Sequence, residues 1–219
     1  MPQITSQIIN NLLNIKTIDI NVDSLGVSDT NIYPSILTFL DNKAFKEQIN
    51  KNPNITAAFI KKSEANLLRG DINKIIVDDP KWHFFTLLNA LEASKTRSKS
   101  VISSSANIHS SAQISETDVF IGEDAVIEPG VVIMANVKIL RQAKIRAGAI
   151  IGVDGFEHKK TTRGLLSVIH DGEVIINERA EVGPNNTIIK GFSYRPTIIG
   201  EDTKLDAQVH YAHGVPSGS

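Results

Sequence analysis

The chain has 219 residues, with 23 basic and 24 acidic side chains and no cysteine. That length suits one large domain or two small ones. The balanced charge argues against nucleic-acid binding or a membrane patch, and the lack of cysteine excludes a disulfide framework or a thiolate metal site. The opening stretch "MPQITSQIINNLLNIKTIDI" is broken by Asn, Gln, Thr and Lys, unlike the apolar core of a signal peptide. No segment has the apolar run needed to span a bilayer. A cytoplasmic protein without membrane insertion is the expectation.

Residues 1–100 read as a mixed α/β domain. "NNLLNI" and "KAFKEQI" have helical spacing, and "TAAFIKK" and "KIIVDD" read as short strands. "DDPKWHFFTLLNALEAS" predicts a helix with Asp79 as N-cap and Pro80 at the first helical position. The polar, serine-rich "KTRSKSVISSSA" reads as the junction to a second domain over 101–219.

After the junction the apolar residues follow a period of six. Ile121, Ile127, Ile133, Ile139, Ile145 and Ile151 are evenly spaced, and the phase returns at Ile176 and again at Ile199. An α-helix cannot keep sixth residues on one face. A hexad means one short strand and one corner per repeat, with three repeats to a triangular coil. The fold class predicted is therefore an α+β domain followed by a hexapeptide-repeat parallel β-helix. Two stretches break the hexad, "VDGFEHKKTTRGLLSVIHDGEV" and "KGFSYRP". Solenoids place such insertions on one face, often the binding face. Lys159, Lys160, Arg163, Lys190 and Arg195 lie in or beside them. They form either ordinary solvated loops or a basic rim for a phosphate-bearing substrate or an acidic carrier. A purely structural rod is the alternative, but the regular Thr arrays of an ice-binding face are absent.

The hexads resemble the left-handed β-helix acyltransferases. Four further segments, "SILTFLDNKAF", "IIVDDPKWHFFTLLNAL", "IGVDGF" and "IIGEDTKLDAQVHYAHGV", make the whole chain resemble the UDP-3-O-acylglucosamine N-acyltransferases of lipid A biosynthesis. The resemblance implies transfer of a 3-hydroxyacyl group from an acyl carrier protein thioester to the amine of a UDP-linked glucosamine. It implies a homotrimer and no cofactor. It also implies that His213 is the general base and Asp206, seven residues earlier, the acid that orients it, from nearly the same corner. Imidazole titrates near neutrality and suits the removal of an amine proton. Phe39 and Phe45 match the aromatic positions that sandwich uracil, with Asn42 beside them. A base gains apolar contact by stacking, and an amide can read its edge. The alternative makes "ILTFL" a core strand and Phe45 a helix-core residue. Asp154, Phe156 and Lys190 fall to the substrate site. His210 contacts a phosphate or the carrier, or is plain surface. A histidine metal site lacks a well-spaced third ligand, so no metal is expected.

Ala207, Tyr211 and Gly214 stand where the family usually has Asn, Ile, and Asn or Asp. These departures open a second reading: a CoA-dependent N-acyltransferase acting on a dTDP- or UDP-amino sugar for O-antigen or capsule. The family continues for several coils beyond the catalytic histidine, so the resemblance implies a C-terminally incomplete β-helix. A third reading is a truncated, non-catalytic protein that binds nucleotide sugar or serves as a scaffold.

Overall fold

The structure is a computed structural model that describes residues 3–192 and 195–217. Its chain forms two compact units, Met1–Lys95 with Glu157–Ile169, and Thr96–Phe156 with His170–Ser219. The division near residue 100 thus falls at Lys95, and a segment from inside the hexad region belongs to the first unit. Ser193 and Tyr194, within the second interruption, lie outside the described residues.

The first unit carries a parallel four-stranded sheet, ordered Ser24–Leu25, Ile36–Phe39, Ile55–Ile60 and Asn73–Ile76. The strands are near-continuous apolar runs, as expected for a sheet covered on its faces. Ile36, Ile55, Ala58 and Ile60 are fully buried and pack with Leu40 and Ile49. The helix Pro80–Ala93 begins as its sequence predicts. The Asp79 carboxylate accepts from the Trp82 amide at 2.9 Å, Pro80 opens the first turn, and Phe84, Phe85, Leu87 and Leu88 are buried.

The segment Glu157–Ile169 forms an antiparallel hairpin, His158–Thr161 against Gly164–Ser167, that docks on this helix. The second Asp79 carboxylate oxygen accepts from the Thr162 amide at 2.7 Å and its hydroxyl at 2.6 Å. The Arg163 guanidinium lies 3.9 Å from the centre of the Trp82 ring and also bonds Asp78. Lys159 sits 5.0 Å from the Phe85 ring centre and pairs with Glu157 at 2.7 Å. Asn89 donates to the Ser167 carbonyl at 2.8 Å and accepts from the Ile169 amide at 2.9 Å. Lys159 and Arg163, two of the basic residues for which the sequence left open solvated loops or a rim, thus hold the hairpin to its helix.

The second unit is a left-handed parallel β-helix. Its strands fall into three five-stranded parallel sheets, one on each face of a triangular prism. Ile121 pairs with Ile139, Ile127 with Ile145 and Ile133 with Ile151, each 18 residues on, so three hexads make one coil. These side chains point inward and are buried. Corner residues three positions after them adopt positive φ, at Asp124, Gly130, Asn136, Gln142 and Gly148 in turn. Short polar residues and glycine tolerate that conformation, which accounts for the hexad's small or polar corner position.

Each inward isoleucine packs within its own coil and against the coils directly before and after it, as Ile145 does between Ile127 and Val182, so a single truncation opens a cavity that those coils cannot fill. Ile145→Ala is expected to lower stability by about 2–5 kcal/mol in chemical denaturation. The Asp79 carboxyl is raised by burial, but its hydrogen bonds from Thr162 and Trp82 outweigh this and hold its pKa below the ordinary 3.8. A carboxyl with a lowered folded-state pKa stabilises fully above its unfolded value, and that stabilisation fades as pH falls through the folded one. Amide exchange at Thr162 should therefore be protected at neutral pH and lose protection below about pH 4. Asp79→Ala should abolish that pH dependence.

Candidate functional site

The hexad breaks all occur at one corner of the prism, between the third face and the first. Ile151 on the third face is followed on the first by Ile176, and Ile188 by Ile199, where an uninterrupted prism would need six residues. The first departure starts at a β-bulge between Ile151 and Val153. Gly152 occupies the bulge with φ +84, and a Cβ there would stand 2.5 Å from the Val137 side chain. Only glycine fits, and the bulge turns the chain out of the coil.

Asp154, Lys190 and His213 follow the third-face strands of three successive coils at this corner. Lys190 Nζ lies 3.0 Å from the Asp154 carboxylate, with the lysine side chain only 12% exposed. Asp154 also accepts from the His170 amide at 3.1 Å. His170 closes the first interruption and is fully buried. Its Nδ1 accepts from the Gly155 amide at 3.3 Å. The His213 ring stands edge to face with His170, centroids 5.2 Å apart, and with Phe192, 5.8 Å apart. His213 is itself exposed. The corner thus presents an accessible imidazole backed by two rings, beside a lysine–aspartate pair. A neutral imidazole here can take a proton from a bound amine.

Sequence reasoning named Asp154, Lys190 and His213 but missed His170 and Phe192. Their only signal was position, since each lies in an interruption of the hexad. Phe156 projects beside the same corner and is 94% exposed. His210 is exposed on the last strand of the third face, in register with Thr187. Asp206 follows the last strand of the second face, so it lies on the preceding corner rather than on that of His213. Its carboxylate accepts from the Ala207 amide at 2.7 Å. One hexad advances the chain by a third of a coil, and a shared corner requires 18 residues. Among the described residues no three His, Cys, Asp or Glu side chains gather as a metal site requires.

In the first unit, Phe39 ends its strand with its ring 4.7 Å from Phe84 and 5.4 Å from Phe85. Asn42 caps the short 3-10 turn Lys43–Phe45, accepting from the Ala44 amide at 2.9 Å. Phe45 closes that turn half-exposed, and among the described residues its ring is not in contact with that of Phe39. Asp41 pairs with Lys81 at 2.7 Å. Phe39 ends the parallel strand Ile36–Phe39, and Asp41, Asn42 and Phe45 follow its carboxyl end, the side on which open α/β sheets bind ligands.

Residues 118–152 match the bacterial transferase hexapeptide family of six repeats. The chain carries that hexapeptide repeat. It is also similar to curated proteins named UDP-3-O-acylglucosamine N-acyltransferase. It is 46% identical to that of Agrobacterium fabrum and 49% identical to that of Methylobacterium nodulans, each over 74 residues. The matched stretch is 34% of this chain and 21% of either relative, so the chain spans about a fifth of the curated relatives it matches. A solved UDP-N-acetylglucosamine O-acyltransferase from Moraxella catarrhalis aligns over 52% of this chain and 45% of its own, at 24% identity and a TM-score of 0.26. No helix among the described residues is long and apolar enough to cross a membrane.

Gly155 lies against the His170 ring, and a Cβ on it would come within 2.6 Å of Nε2. Gly155→Ala should displace that ring and lower stability by about 1–3 kcal/mol, measured by thermal unfolding.

Proposed function

We propose that the chain belongs to an N-acyltransferase that moves an acyl group from a carrier thioester to the amine of a UDP-linked glucosamine, as in lipid A synthesis. The observation that carries this reading is the exposed His213 imidazole at the corner where both interruptions leave the β-helix. Similarity to the curated N-acyltransferases supports it. In this reading His213 takes a proton from the sugar amine as the nitrogen attacks the thioester carbonyl. A tetrahedral oxyanion forms and collapses, the carbon–sulfur bond breaks, and the thiolate leaves with the proton returned. Asp206 is assigned to charge stabilisation from the preceding corner, and Lys190, Asp154, Phe156 and His210 to the sugar phosphates and acyl donor.

The first unit is assigned the nucleotide. A uracil would stack on Phe39 and Phe45 while Asn42 reads its edge. Phe39 is only partly buried against Phe84 and Phe85. The assembly is assigned as a homotrimer. Val101 and Phe120 pair in register on the outer side of the first face and are 61% and 40% exposed, which suits a contact between copies. An acyl carrier protein is the assigned donor.

Titration of the full chain with UDP and with dTDP tests the nucleotide assignment. UDP-selective binding, weakened at least about tenfold by Phe39→Ala, is the expected result, as loss of one stacked base is worth that much. Preference for dTDP would favour the CoA-dependent reading. Binding without acyl transfer would favour a non-catalytic role. In a transfer assay His213→Ala should lower kcat by about 10²–10⁴-fold, the usual worth of a positioned base. Wild-type kcat in His213→Ala would overturn its role.

A further inference from the structure

We infer that His170 and Phe192 are positioning residues that hold the His213 ring in one orientation, an inference that rests on the acyl-transfer reading above. His213 is exposed on a corner, and none of the hydrogen bonds found among the described residues involves its ring. A surface imidazole of that kind would ordinarily sample several rotamers. Here two rings stand nearly perpendicular to it, at interplanar angles of 70° for His170 and 72° for Phe192. The two walls also pack on each other, with centroids 5.4 Å apart. Edge-to-face contact is the favoured geometry for aromatic pairs, so the three rings select one His213 orientation.

The walls are themselves fixed by backbone. His170 is fully buried, its Nδ1 accepts from Gly155 and its amide donates to Asp154. A ring nitrogen that accepts an amide hydrogen carries no proton of its own, so His170 serves as a neutral ring wall. Phe192 is set by the close crossing of the two interruptions at Gly172 and Gly191. The Gly172 amide donates to the Gly191 carbonyl at 3.0 Å, and a Cβ on Gly172 would stand 2.6 Å from the Gly191 carbonyl carbon. The walls therefore come from two separate departures of the chain, which explains why both leave at the corner that carries His213. Burial keeps His170 off any substrate, so its action passes through His213.

Histidine-labelled full chain tests the inference by NMR, with His213→Gln assigning the ring signals. Ring currents should displace the His213 carbon-bound ring protons from those of exposed His210. His170→Leu and Phe192→Leu should each return them toward the His210 position, and His170→Phe, which restores a ring wall, should keep them displaced. In the transfer assay the leucine variants should lower kcat about tenfold at unchanged KM, the range of one lost aromatic pair, and the phenylalanine variant should recover most of it. Circular dichroism identifies any variant that fails to fold, and the partner wall then carries the test. His213 signals and kcat that stay at wild-type values in both leucine variants would overturn the positioning role. If His213→Ala itself retains kcat, the acyl-transfer reading falls, while the NMR displacement still reports on the ring contacts.

Discussion

The inward isoleucine columns govern everything else in the β-helix. A hexad strand pairs two or three residues with each neighbour, too few to be stable alone, so every coil depends on the coil above and below. Burial of one branched side chain per face, stacked in register through consecutive coils, supplies the cohesion. Charge contributes at the corners rather than in the core. Arg146 bonds Glu128 one coil back and Glu181 one coil on, at 2.6 Å each. That bond to Arg146, working against burial, holds the Glu128 carboxyl below its ordinary range. Arg179 and Asp202 pair across stacked corners that both have positive φ. Exposed pairs of this kind add little stability individually, but they match one corner to the next.

A rigid prism allows one corner to be irregular. The third and first faces resume their register after each interruption, Ile139 against Ile176 and Ile176 against Ile199. Intervening chain can then lengthen without disturbing the core, because both ends are pinned by paired strands. The glycines mark the points of tightest fit: Gly152 at the bulge, and Gly172 against Gly191 where the two departures cross. What emerges is a polar cluster on a scaffold that cannot easily shift. In the acyl-transfer reading proposed above, that arrangement suits a base whose geometry must be kept while donor and acceptor are brought to it.

The prism was legible in the sequence because burial and spacing are linked from Ile121 onward. Ile121 through Ile151 all point inward, and so do Ile176, Val182 and Ile188 after the first break. The helix start at Asp79 and Pro80 was legible for a similar reason, since the cap chemistry is local. Contacts remote in sequence were not. Nothing in "EHKKTTRGLL" announces that Thr162 will bond Asp79, or that Arg163 will lie over Trp82, so the basic residues read only as solvated loops or a rim. The relation of Asp206 to His213 was misjudged by counting residues without counting faces. His170 and Phe192 escaped because an interrupted repeat tells where a site lies but not which of its side chains turn inward.

The unusual residues near His213 divide by physical cause. Tyr211 occupies an inward hexad position, packs against the core, and places its hydroxyl 3.4 Å from the Ile198 carbonyl. Its identity therefore answers to packing in that coil before it answers to any substrate. Gly214 lies three residues after Tyr211, with φ +66, a position that other corners fill with Asp, Asn, Gln, Arg or glycine at positive φ. It meets the corner's conformational requirement, and its amide donates to the Thr197 hydroxyl at 2.9 Å. Ala207 alone is exposed and free of such a constraint. An asparagine there would add an amide beside Asp206, so its loss changes what the preceding corner can offer a ligand. Of these three residues, the fold accounts for Tyr211 and Gly214, and nothing in the structure explains Ala207.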